Sequence, residues 1–256
     1  MSPFEQIRWD VDADAATAWI VLDDPERRNA LNSALVAELK EAFRRVEEDD
    51  DVAVVGLRGS GPDFCAGADL REVHDSVEAG IMATLDDAES LGDLFLQIRG
   101  LPKPVVAAVH GHALAGGAGL ATACDLVVAS EEASFGYPEV KLGFVPAMVM
   151  ALLRRSVGEK QAFELVATGE PVDAETARRY GLVCRVLPGA TFRADAEAFV
   201  EELAGHSASA LALSKRLLYQ IDGVGFEGAL QAGAEVNALA RFTDDCREGI
   251  RRFLDG

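Results

Sequence analysis

Long uncharged stretches are missing from this chain of 256 residues. No run of about eighteen apolar residues occurs, so no membrane-spanning helix is expected. The first residues, "MSPFEQIRWDVDADAATAW", lack a basic region followed by an apolar one, which is read as no secretory signal and a cytoplasmic protein. Cations are scarce as well: 24 Lys and Arg stand against 43 Asp and Glu, for a formal net charge of −19. Such a surface repels nucleic acid and anionic lipid, so neither is expected as a partner. A small anionic ligand is not excluded, because it feels a local site. The four cysteines, Cys65, Cys124, Cys184 and Cys246, form no C-x-x-C pair and suggest neither zinc nor a disulfide framework. Of four histidines only His110 and His112 are close, and without a third ligand nearby they read as packing residues.

What the chain does have is about half apolar residues, enough for a sizeable core, and a repeated construction. "TAWIVLDD" reads as a strand, "PERRN" as a basic turn, and "SALVAELKEAFRRVEEDD" as an amphipathic helix with Leu35, Leu39, Phe43 and Val46 on one face. "VAVVGLR" is a strand that runs into "GSGPDFCAGADLREV". "PVVAAVHG" is a second, running into "HALAGGAGLATACD", and "LVVAS" is a third. Strands alternating with helices predict an α/β architecture with parallel pairing. Beyond Pro146 come three short helical patterns and a small strand, "LVCRVLP"; from Phe192 onward only helices are expected. That tail, residues 192–256, offers apolar helical faces, including Leu203, Leu211, Leu217, Leu218, Ile250 and Phe253, with too little chain to bury them alone, and must pack on residues 1–191 or on a neighbouring subunit. The stretch "EVHDSVEAGIMATLDDAES" reads as an irregular loop.

The two glycine turns fit no common nucleotide or hydrolase signature. No glycine is followed by Lys-Ser or Lys-Thr, as a P-loop needs. Gly117-Ala118-Gly119-Leu120-Ala121-Thr122 lacks the last glycine of a dinucleotide fingerprint. "RGSGP" has its serine out of frame for a nucleophile elbow. No acid, base or nucleophile stands beside the second turn before Asp125. Either the glycines serve packing alone, or each turn supplies one backbone N–H and the pair converges on a carbonyl oxygen, an arrangement that needs no side chain.

Taken in order, "FCAGADLREV", "HGHALAGGAGLATACDLVVAS" and "FGYPEVKLGFVPA", with "ERRNALN" before them and "TGEPVDAETARRYGLVCRVLP" after, resemble the enoyl-CoA hydratase/isomerase (crotonase) superfamily. The resemblance covers roughly residues 5 to 250. It implies a spiral of ββα turns with a helical C-terminal trimerisation region, and a homotrimer or homohexamer. It also implies an acyl-CoA thioester substrate carried through an enolate, with no cofactor beyond the coenzyme A of the substrate. By motif match the oxyanion donors are the amides of Ala68 and Gly116, and Glu139 is the proton carrier. Arg27, Arg28 and Ala30 fall where the family wraps coenzyme A; Ala66, Asp69, Leu70 and Arg71 flank the first donor, with Arg71 offering charge to a phosphate. Where two-carboxylate hydratases have a second glutamate, this chain has Gly119. A single carboxylate suits a double-bond shift, though Glu139 and water alone are compatible with hydration. Gly119→Glu is expected to raise hydration if there is room, whereas a bulky residue packed over Gly119 would mean that its smallness serves shape. Thioester hydrolysis or dehalogenation, with His74, Asp75 or Glu78 as helpers, and non-catalytic acyl-CoA binding stay open.

Overall fold

The computed structural model describes residues 4–255; residues 1–3, part of the stretch read for a leader, and residue 256 of the tail lie outside the described residues. The chain begins with a hairpin of β1 (Ile7–Asp12) and β2 (Thr17–Leu22), then a single 3-10 turn at Pro25–Arg27. Next come α1 (Ser33–Glu48), β3 (Val54–Gly59), α2 (Leu70–Ala79), α3 (Ile81–Gly100) and β4 (Val105–Val109). β5 (His112–Leu114), α4 (Gly116–Ala123), β6 (Leu126–Ser130) and β7 (Ser134–Gly136) follow, and a 3-10 turn spans Pro138–Leu142. The remainder is α5 (Ala147–Ser156), α6 (Glu159–Thr168), β8 (Val172–Asp173), α7 (Ala174–Tyr180), β9 (Arg185–Leu187) and four helices. These are α8 (Phe192–Ala204), α9 (Ala208–Gln220), α10 (Phe226–Ala240) and α11 (Asp244–Asp255).

Six strands form one sheet in the order β1-β2-β3-β4-β6-β9, parallel except for the β1–β2 hairpin. The parallel strands are apolar on both faces, as strands covered by helices must be. β4 is buried at every position, and its alternate residues separate two cores. Val105, Ala107 and Val109 join the side formed with α1, α3, α4 and α5, while Val106 and Ala108 face Phe192, Ala196, Phe199 and Val200 of α8. The first tail helix therefore closes one face of the sheet. A second, three-stranded sheet, β5-β7-β8, turns away from the first just after β4.

Three parts of the fold differ from the sequence reading. β1 is an edge strand whose Ile7, Trp9 and Val11 alternate with Arg8, Asp10 and Asp12, a strand pattern that the reading does not use. β5, β7 and β8 are two or three residues long, below the length at which periodicity is legible. The segment read as an irregular loop is helical: α2 and the first half of α3 cover it, broken at Gly80, where φ is +101°. α2 buries none of its residues, although Leu70, Val73 and Val77 stand at helical spacing, a signal the loop reading does not use.

α9 is pinned by a buried cation. The Lys215 ammonium pairs with Asp125 at 2.7 Å and donates to the carbonyls of Ile98 (2.8 Å) and Lys103 (3.0 Å). Asp125 in turn accepts from the Val105 amide and the Tyr219 hydroxyl, each at 2.7 Å. This acid thus joins the tail to the start of β4, at the opposite end of that strand from the glycine turn. Further along, apolar side chains stand in solvent: Phe226, Phe242 and Phe253 are 81, 73 and 86% exposed. Of the tail residues read as an apolar face, Leu218, Ile250 and Phe253 are exposed, whereas Leu203, Leu211 and Leu217 are half-buried.

Lys215→Ala strands the Asp125 carboxylate in a largely buried place. Breaking a buried pair from one side costs about 3–5 kcal/mol. The expected outcome is a stability loss of that order in denaturant titration; a loss below about 1 kcal/mol, the range of exposed pairs, would contradict the role given to the pair.

Candidate active site

The two glycine turns meet because short strand-like bridges tie them together. Cys65 pairs with Ala113: its amide donates to the His112 carbonyl at 3.1 Å, and its carbonyl accepts from Leu114 at 3.0 Å. One step on, Leu31 and Ala68 form a second bridge through Leu31 N–H to Gly67 O (2.7 Å) and Asp69 N–H to Leu31 O (2.9 Å). Ala66 donates to the Arg28 carbonyl at 3.0 Å. This pattern uses the Gly67 carbonyl and the Asp69 amide on either side of Ala68 and leaves its own N–H, among the described residues, without an acceptor.

The second turn behaves alike. Ala115 donates to Gly136 at 2.8 Å and sits at φ +49°, ψ −122°, a strained backbone for a residue with a Cβ. Gly116 begins α4, so its amide has no intrahelical acceptor and likewise no other partner. The two turns touch: a Cβ on Gly67 would lie 3.5 Å from the Gly116 nitrogen and 2.8 Å from the Ala115 Cβ, and φ at Gly67 is +97°. A side chain there would force the turns apart. A Cβ on Gly116 would in turn lie 3.8 Å from the Ala68 nitrogen. Two unpaired amides on adjoining turns, one at the positive end of a helix dipole, are arranged to receive a negative oxygen.

β5 lies beside β7, with Leu114 opposite Gly136, and this register brings the segment after β7 to the second turn. There Pro138 starts the 3-10 turn that carries Glu139, a buried carboxylate whose Oε2 has no hydrogen-bond partner. Burial pushes its pKa upward, and a hydrogen bond from its own backbone only partly offsets this. The neighbouring Tyr137 is fully buried, and its hydroxyl also has no partner.

Gly119 lies on the same helix, one turn after Gly116, and is overpacked. A Cβ there would meet Val149 Cγ2 at 2.6 Å and Phe95 Cζ at 3.1 Å. α5 therefore approaches α4 across this glycine. The condition set for Gly119→Glu, room for the side chain, is not met: Val149 occupies the space. Gly119 serves the α4–α5 contact.

The residues proposed to hold coenzyme A lie on one side of the first turn. Arg27 is exposed, 3.8 Å from Asp24, and Ala30 is half-buried. Ala66 is half-buried, and Asp69 caps α2 by accepting from the Arg71 amide at 2.9 Å. Leu70 is 60% exposed and Arg71 is exposed, both in the first turn of α2. Arg28 is not a free cation: its Nε donates to Asp63 at 2.6 Å. Its pKa is raised, chiefly by that hydrogen bond. His74, Asp75 and Glu78 are exposed on α2, and His74 pairs only with its neighbour Asp75. No group of three or more potential metal ligands occurs among the described residues.

Two residues of structural weight were not singled out from the sequence. Asp63 is buried and also accepts from His112, from Nδ1 at 2.6 Å and from the amide at 2.9 Å. Burial alone would raise its carboxyl; the bonds from Arg28 and His112 outweigh it and bring it down to about 2. Asn29, also buried, donates from Nδ2 to the carbonyls of Ser60, Asp63 and Phe64 at 2.9–3.1 Å. It accepts from Asp24 and sits in the left-handed region at φ +55°, which asparagine tolerates well. The "RRN" triplet before an apolar helix was the available signal for Asn29. Asp63 had none, being one acid among 43.

Comparison with known proteins bears on the family and the fold. Residues 12–255 match the family described as enoyl-CoA hydratase/isomerase. A putative enoyl-CoA hydratase of Thermus thermophilus is 45% identical over 238 residues, covering 93% of this chain and 94% of that protein. The 2,3-dehydroadipyl-CoA hydratase of Escherichia coli is 37% identical, over 92% of this chain and 91% of that one. Among solved structures, an enoyl-CoA hydratase of Mycobacterium smegmatis superposes with a TM-score of 0.88 at 33% identity, covering 98% and 96% of the two chains. Human enoyl coenzyme A hydratase domain-containing protein 3 gives 0.93 at 28%, covering 98% of each. With the motifs, the α/β fold and these matches in agreement, the chain belongs to the enoyl-CoA hydratase/isomerase family.

Proposed function

We propose that this protein is an enzyme acting on an enoyl-CoA thioester, with the thioester oxygen held by the amides of Ala68 and Gly116 and Glu139 carrying the proton. The carrying observation is a pair of unpaired amides on adjoining turns, together with one buried, unpaired carboxylate in the turn that follows β7, the strand paired with β5. As the enolate forms, charge moves onto the thioester oxygen, where rigid backbone donors stabilise it without reorganising. One such donor is worth about 3–4 kcal/mol of barrier.

Within this chemistry we favour a double-bond shift. Glu139 takes a proton from C2 of a 3-enoyl thioester, the electrons pass into a dienolate, and the same carboxyl returns the proton at C4 to give the 2-enoyl thioester. One carboxylate suffices for this sequence, and Val149 fills the place beside Gly119 where a second would stand. The alternative is hydration of a 2-enoyl thioester with water itself supplying the proton to C2; the names of the relatives favour that reading. Arg27, Ala30, Ala66, Asp69, Leu70 and Arg71 are proposed to line the path of coenzyme A, with Arg28 contributing only as far as Asp63 leaves it free. The exposed aromatic and aliphatic side chains of α10 and α11 support a trimer, or a pair of trimers, in which a neighbouring chain covers them.

Glu139→Gln keeps the side-chain shape and removes the proton carrier. Turnover is expected to fall by about 10²–10⁴ with little change in coenzyme A ester affinity; near-normal turnover would exclude Glu139. The double-bond shift needs Glu139 ionised, and burial raises its pKa. Activity should therefore rise with pH through a midpoint above the ordinary glutamate value of about 4.3. A midpoint below that value would contradict the burial argument.

For assembly, light scattering at micromolar concentration is expected to give three or six times the chain mass, and a monomer would contradict the proposal.

A further inference from the structure

On the Gly119 side the candidate site is walled by α3 and α5, and the side chains nearest Gly116 and Gly119 are apolar. Leu91 of α3 comes within 3.8 Å of the Cβ position of Gly116, and Phe95 within 3.1 Å of that of Gly119. Val149 of α5 closes on Gly119 at 2.6 Å. Its neighbour Met148 crosses to α3, with Cε 2.6 Å from the Cβ position of Gly92. Phe95 and Met148 have a second side: together they line a groove of about 450 Å³ between α3 and α5. That volume is in the range of small-molecule pockets. Site and groove are thus divided by a single layer of side chains.

The members of that layer differ in freedom. Phe95 and Val149 are buried, and the branch at the Val149 Cβ restricts its rotamer. Met148 is half-buried and unbranched, with three rotatable bonds, and it rests its end on a glycine, so no side chain at position 92 locks it. Beyond Met148 the groove is walled by Leu96, Ala151 and Leu152, with Leu96 70% exposed. Its charged members are Glu89, Asp93 and Arg99. Lys40 lies 3.7 Å from Asp93, and the Arg99 guanidinium lies over the Tyr219 ring at 3.9 Å. Between those charges the groove offers apolar surface.

We propose that Met148 is a movable plug that sets the length of acyl chain this protein takes, and that the groove receives the tail of an unbranched, apolar acyl group. Rotation about the Met148 side-chain bonds uncovers Gly92 and joins the groove to the site. The tail then passes over Gly92, whose missing Cβ gives it room, and lies against Phe95, Leu96 and Leu152. The inference rests on the thioester reading above for the place where the chain starts; it adds the class of acyl group and the residue that admits it.

The probes are the saturated butyryl-, hexanoyl-, octanoyl- and decanoyl-CoA esters, titrated calorimetrically into the intact protein. They carry no double bond to shift or hydrate, so binding is read apart from turnover. Affinity is expected to rise by about fourfold for each methylene that enters the groove. Ala151→Trp fills the groove from its exposed wall, and is expected to weaken decanoyl-CoA by about tenfold or more with butyryl-CoA little changed. Met148→Ala removes the plug and is expected to strengthen decanoyl-CoA relative to butyryl-CoA; an unchanged ratio overturns the role of Met148. Affinity that stays flat from butyryl- to decanoyl-CoA overturns the whole inference and leaves the thioester reading standing. Ala151→Trp binding decanoyl-CoA as tightly as the unaltered protein also overturns it. A changed mass of that variant in light scattering would assign the groove to an interface between copies, and overturn it as well.

Discussion

The site rests on a mismatch of hydrogen bonds between two turns. Cys65 and Ala113 pair, and Leu31 pairs with the first turn on either side of Ala68, so the backbone between them has no acceptor left for two amides. Unpaired N–H groups are ordinarily avoided in a protein interior; of the two residues, Gly116 is buried and Ala68 is exposed. Here they are held in place by neighbours that are fully satisfied. Asn29 binds three carbonyls of the first turn, and Gly67 lets the second approach within contact distance. Strain at Ala115 completes the geometry, since the residue before Gly116 adopts a positive φ that its Cβ disfavours. In the proposed reaction, position is thus supplied by backbone, and only the proton needs a side chain.

Much of this was legible in order along the chain. The strands with continuous apolar runs, the amphipathic first helix and the glycine-terminated short helices all carry a period that depends on burial, and each was found. The edge strand β1 and the surface helix α2 carry their periods in only three apolar residues each, Ile7, Trp9 and Val11 and Leu70, Val73 and Val77, too few to stand out among the acids around them. β5 and β7 owe their existence to pairing with each other rather than to their own three residues. At the site, Glu139 and the two turns were legible because glycine and proline punctuate the backbone where they lie.

What covers a position was not legible. Gly119 reads the same whether it opens space for a substrate or admits a neighbouring helix, and only the placement of Val149 distinguishes the two. Arg28 looks like a free cation for a phosphate, yet it is paired to Asp63, 35 residues away and one acid among many. The two-faced sheet is a third case. Alternation along β4 separates two cores, but which face borders the glycine turns and which is covered by the tail follows from where α8 returns.

The central claim is that Ala68, Gly116 and Glu139 together generate an enolate from a coenzyme A thioester. The most direct measurement is proton NMR of a 3-enoyl-CoA incubated with the protein in deuterated water. The account predicts loss of the C2 proton at an enzyme-dependent rate, with the product 2-enoyl-CoA appearing alongside. A C2 signal that persists at the uncatalysed rate would contradict it.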